Sequence, residues 1–173
     1  MSEAIKASSA PFTVNRTHDV PAFAGSSNDN RTVYIDRRVP KRMVIEGKEI
    51  DPAKYLAVHE RTEHNLMVAD KMPYLEAHHH ATAAERAAVE ADGVDWKSYE
   101  AHIDGMLRTI EGEKIKRPPK DLYLKPYHID AWGNEAEKIE RHMDRRNPAA
   151  SVSGKVRLVP VDGDPFKRGD GNG

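Results

Sequence analysis

The spacing of apolar residues along the middle of the chain predicts a series of amphipathic helices. Asp51-Pro52 is a strong helix start, because aspartate accepts hydrogen bonds from the free amides of the first turn and proline fits the first helical position. Pro73 should end this helix, and the glycine of Asp92-Gly93 should end the next. The predicted helices span residues 52 to about 70, 73–91, 96–113 and roughly 129–145.

Short segments rich in β-branched residues flank these helices. Residues 32–36 (TVYID) and 42–46 (RMVIE) predict a two-stranded unit, and residues 46–49 predict a turn. Residues 120–127 are expected to be extended, and 155–161 (KVRLVPV) predict one further strand. The fold class predicted is α+β, mainly helical, with a small N-terminal β-unit followed by a four-helix core.

The composition of the two ends predicts three parts. Residues 1–31 are rich in Ser, Ala, Asn and Pro and lack periodicity, which is typical of a disordered N-terminal arm. Residues 32–146 would form a single helical domain. The Gly- and Asp-rich residues 147–173 predict a largely flexible C-terminal tail.

Composition and charge exclude several functions. The chain has 173 residues, a mean hydropathy of −0.75 and a net charge of −1. A balanced charge argues against electrostatic binding to nucleic acid or to an anionic membrane. There are no cysteines, which excludes disulfides and thiolate metal sites. No apolar run resembles a membrane span or a secretory signal, so a cytoplasmic location is expected, with association with a virion as the alternative.

Five of the nine histidines lie between His59 and His80. On a helix, residues four apart share a face, so His59 can point with Glu63, and Glu60 with His64. The short link to the next helix predicts antiparallel packing. On that helix His78 and Glu85, which are seven residues apart, also share a face. Four groups can therefore converge between the two helices: His59, Glu63, His78 and Glu85.

The sequence His59-Glu60-Arg61-Thr62-Glu63 resembles the H-E-x-x-H helix motif of the zincin metallopeptidases. The resemblance covers roughly residues 32–90, and it extends to small metallopeptidases encoded in bacterial and phage genomes. It departs from the family at position 63, where glutamate replaces the second histidine. It implies a zincin-like fold, a Zn²⁺ cofactor (or another first-row divalent metal) and a peptide or protein substrate.

The resemblance also implies a role for each matching residue. His59 would be the first metal ligand and Glu60 the general base that activates the bound water. Glu63 would replace the second histidine ligand, and His78 would be the third ligand. Three further residues are candidates for supporting the ligands or substituting for them: His79, Glu85 and His64.

The same residues also admit ordinary structural interpretations. His59 could be a core histidine bonded to Glu63 across one helical turn. Glu60 and His64 could form a solvated pair, and Arg61 is expected on the surface.

Three functional hypotheses follow. The first is a zinc-dependent hydrolase that acts on peptide or amide bonds. The second is a non-catalytic helical structural or interaction protein, for example a virion or prophage component whose flexible termini bind protein partners. The third is a carboxylate-bridged two-metal site, which normally needs Glu-x-x-His on two helices. The chain does not have that pair of motifs, so this hypothesis ranks last.

Overall fold

A computed structural model of the protein describes residues 10–110 and 112–129. It is an α+β structure in which helices predominate. In chain order its elements are β1 (Thr13–Asn15), a 3₁₀ turn (Pro21–Phe23), β2 (Ala24–Ser26), β3 (Thr32–Ile35), β4 (Met43–Ile45), β5 (Lys48–Ile50), α1 (Pro52–Val68), α2 (Tyr74–Ala91), α3 (Trp96–Ile110) and α4 (Lys125–Ile129).

The N-terminal strands form a three-stranded sheet with β3 in the centre. Strand β3 runs parallel to β1 and antiparallel to β2, with Val14 opposite Val33 and Gly25 opposite Tyr34. The prediction of a disordered arm over residues 1–31 is therefore wrong for residues 10–31. Strands β1 and β2 have three residues each, too few to show an alternation of buried and exposed side chains. Residues 1–9 lie outside the described residues.

Strands β4 and β5 form a separate antiparallel hairpin. The predicted pairing of residues 32–36 with 42–46 is therefore wrong. The turn is Glu46-Gly47, and both residues have left-handed backbone angles, with φ of 51° and 82°. A two-residue turn of this kind matches the right-handed twist of the strands it joins.

The three long helices are confirmed close to their predicted limits. Helix α1 begins after Asp51, whose side chain accepts a hydrogen bond from the Ala53 amide at 3.0 Å. The chain leaves α2 through Gly93, which has a φ of 72° that suits glycine. The described part of α3, Trp96–Ile110, lies within the predicted limits of residues 96–113.

The four-helix core is not confirmed by the described residues. The described part of α4, Lys125–Ile129, begins within a segment predicted to be extended. The rest of the helix predicted over 129–145 lies outside the described residues. So do the strand predicted over 155–161 and the tail over 147–173.

Helix α1 is buried on more than one side. Leu56 and Ala57 pack with the apolar side chains of β2, β3 and α3. Tyr55 packs with β4, β5, α2 and α3, and Leu66 and Met67 pack against the start of α2. The position of α1 between the sheet and the other helices gives each of its faces a different environment.

Across the described ranges, no helix combines the length and the apolar character that crossing a membrane requires.

Candidate metal centre

Three potential metal ligands converge between α1 and α2. His59 and Glu63 lie one turn apart on α1, and residues 69–73 reverse the chain into α2, which carries His78. The Glu63 Oε2 atom lies 2.8 Å from His78 Nδ1 and 3.5 Å from His59 Nε2, and the two imidazole nitrogens are 3.2 Å apart. The sequence predicted this convergence, and the structure brings the three side chains together.

The distances between these atoms fit the coordination geometry of a small divalent cation. Tetrahedral ligands at about 2.0–2.1 Å from Zn²⁺ lie about 3.3 Å from one another. The side chains of His59 and Glu63 are 12% and 6% exposed, whereas that of His78 is 47% exposed. The cluster is therefore closed towards the core and open on the side of His78.

The second nitrogen of His59 is held by a carboxylate. His59 Nδ1 donates to Glu85 Oε2 at 3.0 Å, and the hydroxyl of Tyr99 donates to Glu85 Oε1 at 2.7 Å. Both Glu85 and Tyr99 are buried. Glu85 therefore supports His59 from behind. With both of its oxygen atoms engaged, it is not placed as a substitute ligand.

Burial and hydrogen bonding set the charges of the cluster. Burial acts to lower the pKa of His59, but the hydrogen bonds to Glu63 and then to Glu85 outweigh it and raise this pKa to about 10. Burial acts to raise the pKa of Glu63, but the hydrogen bonds with His59 and His78 bring it below its ordinary value. The arrangement therefore favours an ionised Glu63 carboxylate beside a protonated His59.

Glu60 lies beside this cluster on the wall of a cavity of about 350 Å³. Burial, followed by the negative charge of Glu63, raises the pKa of Glu60 to about 8. A carboxyl group that titrates near neutral pH can both accept and release a proton. His59, Glu63 and His78 line the same cavity, so a molecule in it can contact the cluster and Glu60 together.

The rest of the cavity wall is largely apolar and aromatic. It includes Phe23, Leu56, Trp96 and Ile103. The backbone turns sharply there, because Phe23 has a left-handed φ of 57°. This conformation is rare outside glycine and costs roughly 1–2 kcal/mol. The wall is suited to hold an apolar part of a ligand beside the polar cluster.

His64 lies apart from the cluster. Its residue is 4% exposed, its Nδ1 atom is 2.8 Å from the Ser26 hydroxyl, and its ring centre is 4.5 Å from that of Tyr123. Burial lowers its pKa. The interpretation of His64 as half of a solvated pair with Glu60 is therefore wrong, because this face of α1 packs against β2 and the segment before α4.

The positions of Arg61 and His79 differ from those expected. Arg61 was expected on the surface but is buried, with its guanidinium 4.2 Å above the ring of Phe12. His79 is exposed, and its ring lies beside that of His80, outside the group that could hold a metal. Consecutive histidines on a helix point about 100° apart, so only His78 of this run faces α1.

The sequence does not point to Tyr99 as part of the site. Tyr99 falls within the helix predicted over residues 96–113, and no motif links it to the histidines. A buried tyrosine needs a partner for its hydroxyl, which was the available signal, but the sequence does not identify Glu85 as that partner.

Comparison of the chain with protein-family models, with curated proteins and with solved structures finds no match.

Proposed function

We propose that His59, Glu63 and His78 bind a zinc ion and that the protein is a zinc-dependent hydrolase of metallopeptidase type. One observation carries the proposal: two imidazole nitrogens and one carboxylate oxygen lie 2.8–3.5 Å apart at the edge of a cavity. Imidazole and carboxylate are ligands that suit Zn²⁺ and other first-row divalent metals.

The number of ligands supports a catalytic site rather than a structural one. Structural zinc sites are usually closed by four protein ligands, whereas catalytic sites use three and leave one position for water or substrate. Here three protein ligands face a cavity, and His78 is half exposed. The remaining position would be directed towards a substrate in the cavity.

Glu60 is the proposed general base. Zinc in such a site supplies a water molecule of lowered pKa and polarises a carbonyl group. Glu60 would accept the proton of that water and return it to the leaving amine, since it lies on the same cavity wall as the ligands. The resemblance of residues 59–63 to the zincin motif supports this role and a zincin-like arrangement of helix and substrate.

The decisive experiment is metal analysis of the untagged protein purified without chelators. We expect one zinc ion per chain by native mass spectrometry. Glu60→Gln should retain the metal and lose the hydrolysis of a quenched fluorescent peptide library. Glu76→Gln, an exposed substitution on α2, is the matched control and should retain both. Protein without stoichiometric metal would refute the proposal, and zinc without hydrolysis of any peptide would leave only the metal site.

One observation favours the alternative of a non-catalytic helical protein. Three of the contacts in the cluster, at 2.8, 3.0 and 3.2 Å, are also ordinary hydrogen-bond lengths. The cluster could therefore be a buried polar network that stabilises the packing of α1 against α2. In that case added zinc would not raise the melting temperature of the protein, whereas binding at a metal site would raise it further as the free zinc concentration increases.

A further inference from the structure

We propose that Tyr99 is a positioning residue of this site and acts on His59 through Glu85. The inference rests on the metal site proposed above and extends it to a third helix. The Tyr99 hydroxyl donates to one oxygen of Glu85 at 2.7 Å, and the other oxygen accepts from His59 Nδ1 at 3.0 Å. One chain of hydrogen bonds thus links α3, α2 and α1.

The hydrogen bond from His59 Nδ1 selects the tautomer of the imidazole. A neutral imidazole carries one N–H group and one lone pair. When Nδ1 carries the proton and donates a hydrogen bond to Glu85, the lone pair is on Nε2. Nε2 is the atom that faces Glu63 and His78. The carboxylate also fixes the plane of the ring, and such outer partners raise the basicity of a ligating histidine.

Tyr99 sets the orientation of Glu85. Its residue is 1% exposed and that of Glu85 is 6% exposed, so bulk water has little access to replace the hydroxyl. Without the hydroxyl, Glu85 Oε1 loses its buried donor, and the carboxylate is free to rotate away from His59. The expected consequence is a weaker metal site with its three ligands still present.

Tyr55 provides a matched control for Tyr99. The two rings are in edge-to-face contact, with centres 5.4 Å apart, and both tyrosines are buried. The Tyr55 hydroxyl, however, donates to Asp92 at 2.8 Å, away from Glu85. Replacement of either tyrosine by phenylalanine removes one buried hydroxyl, but only Tyr99→Phe interrupts the chain to His59.

The test measures zinc affinity of the metal-free full-length protein by competition with a chromophoric chelator. We expect Glu85→Gln to weaken zinc binding by about 10–100-fold, the usual effect of losing a partner of a ligating histidine. Tyr99→Phe should weaken it by about tenfold, at the lower end of that range. Tyr55→Phe should bind zinc as the wild type does, although it also removes a hydrogen bond and lowers the melting temperature of the metal-free protein.

A second measurement does not depend on comparing stabilities. The ¹⁵N chemical shifts of His59 in the zinc-loaded wild type should identify a protonated Nδ1 and a metal-bound Nε2. The opposite assignment would overturn the inference even if both variants failed to fold.

The outcomes separate the inference from the function on which it rests. If the wild type binds no zinc, both are overturned. If the wild type binds zinc and His59→Ala does not, the metal site stands. Equal zinc affinity in the wild type, Tyr99→Phe and Glu85→Gln would then overturn the positioning role alone.

Discussion

Helix α1 carries two histidines, His59 and His64, whose surroundings differ completely. His59 lies at the edge of a cavity with carboxylates near both ring nitrogens. His64 lies on a packed face, against the Ser26 hydroxyl and the ring of Tyr123. The Ser26–His64 pair has the separation of a nucleophile and its base, yet each residue is only 4% exposed, so a substrate has little access to it. Partners and access, rather than residue type, determine which histidine can perform chemistry.

Replacing each histidine in turn by alanine tests this difference most directly. His59→Ala should lower zinc affinity by more than about 100-fold, because loss of a ligand exceeds the 10–100-fold effect of losing its partner. His64→Ala should bind zinc normally but lower the free energy of unfolding by about 2–4 kcal/mol, the cost of truncating a large buried side chain. Zinc titration and urea unfolding of both variants measure the two effects. Equal losses of zinc affinity would show that both histidines serve one site.

The division between the two faces was partly predictable. The four-residue spacing of His59 and Glu63, with a short link to a helix that carries His78, was sufficient to predict the cluster. The environment of His64 was not predictable, because it depends on Ser26 in a strand that the sequence did not reveal. Strand β2 contains Ala-Gly-Ser, which has little intrinsic preference for a strand and is stabilised by its pairing with β3.

The helices were easier to predict than the sheet for a physical reason. A helix satisfies its hydrogen bonds within one segment, so caps such as Asp51 and Gly93 and the apolar spacing of α3 are visible locally. A strand depends on its neighbours, and β1 pairs in parallel with a segment that begins at Thr32. Register and partner are therefore non-local properties that residues 10–31 do not encode alone.

Asp19 gives the packed face a dependence on pH. It is buried and accepts hydrogen bonds from the backbone amides of Lys116 and Arg117 at 2.7 and 2.8 Å and from Arg37 at 2.6 Å. These bonds anchor the segment that leads to Tyr123 beside His64. Burial acts to raise the pKa of Asp19, but the hydrogen bonds from Arg37 and the two amides outweigh it and leave this pKa below its ordinary value.

Asp19→Asn should lower the free energy of unfolding by about 1.5–3 kcal/mol near neutral pH, because it disrupts hydrogen bonds to a charged group. A folded-state pKa below the unfolded value stabilises the protein fully above that value, about 3.9, and the contribution is lost as the pH falls through the folded pKa. The difference from wild type should therefore be constant above about pH 5 and shrink towards pH 2. Urea unfolding at several pH values measures it, with the exposed Asp70→Asn as control. A difference that grows on acidification would contradict the assigned role of Asp19.

Gly25 tests how closely residues 122–127 cover β2. A Cβ atom on Gly25 would lie 2.8 Å from Leu122 Cδ1 and in closer conflict with the hydroxyl of Tyr127, which donates to the Ala24 carbonyl. Gly25→Ala should lower the free energy of unfolding by about 1–3 kcal/mol, the usual cost of overpacking. Gly105→Ala is the matched control. It adds the same methyl group to a helical position with no atom within 4 Å, and it should stabilise α3 by about 0.5–1 kcal/mol. Thermal unfolding of both variants should give shifts of opposite sign, and two destabilising shifts would contradict the described packing of residues 122–127.

Each of the two histidines also has one hydrogen-bond partner that can be replaced without changing the histidine itself. Ser26→Ala removes the hydroxyl that lies 2.8 Å from His64 Nδ1, just as Glu85→Gln alters the partner of His59. We expect Ser26→Ala to lower the free energy of unfolding by about 1 kcal/mol, the typical contribution of one hydrogen bond, and to leave zinc affinity unchanged. Urea unfolding together with a zinc titration measures both quantities on one sample. A change in zinc affinity would show that the packed face of α1 contributes to the metal site, because no contact of Ser26 extends to the three proposed ligands among the described residues.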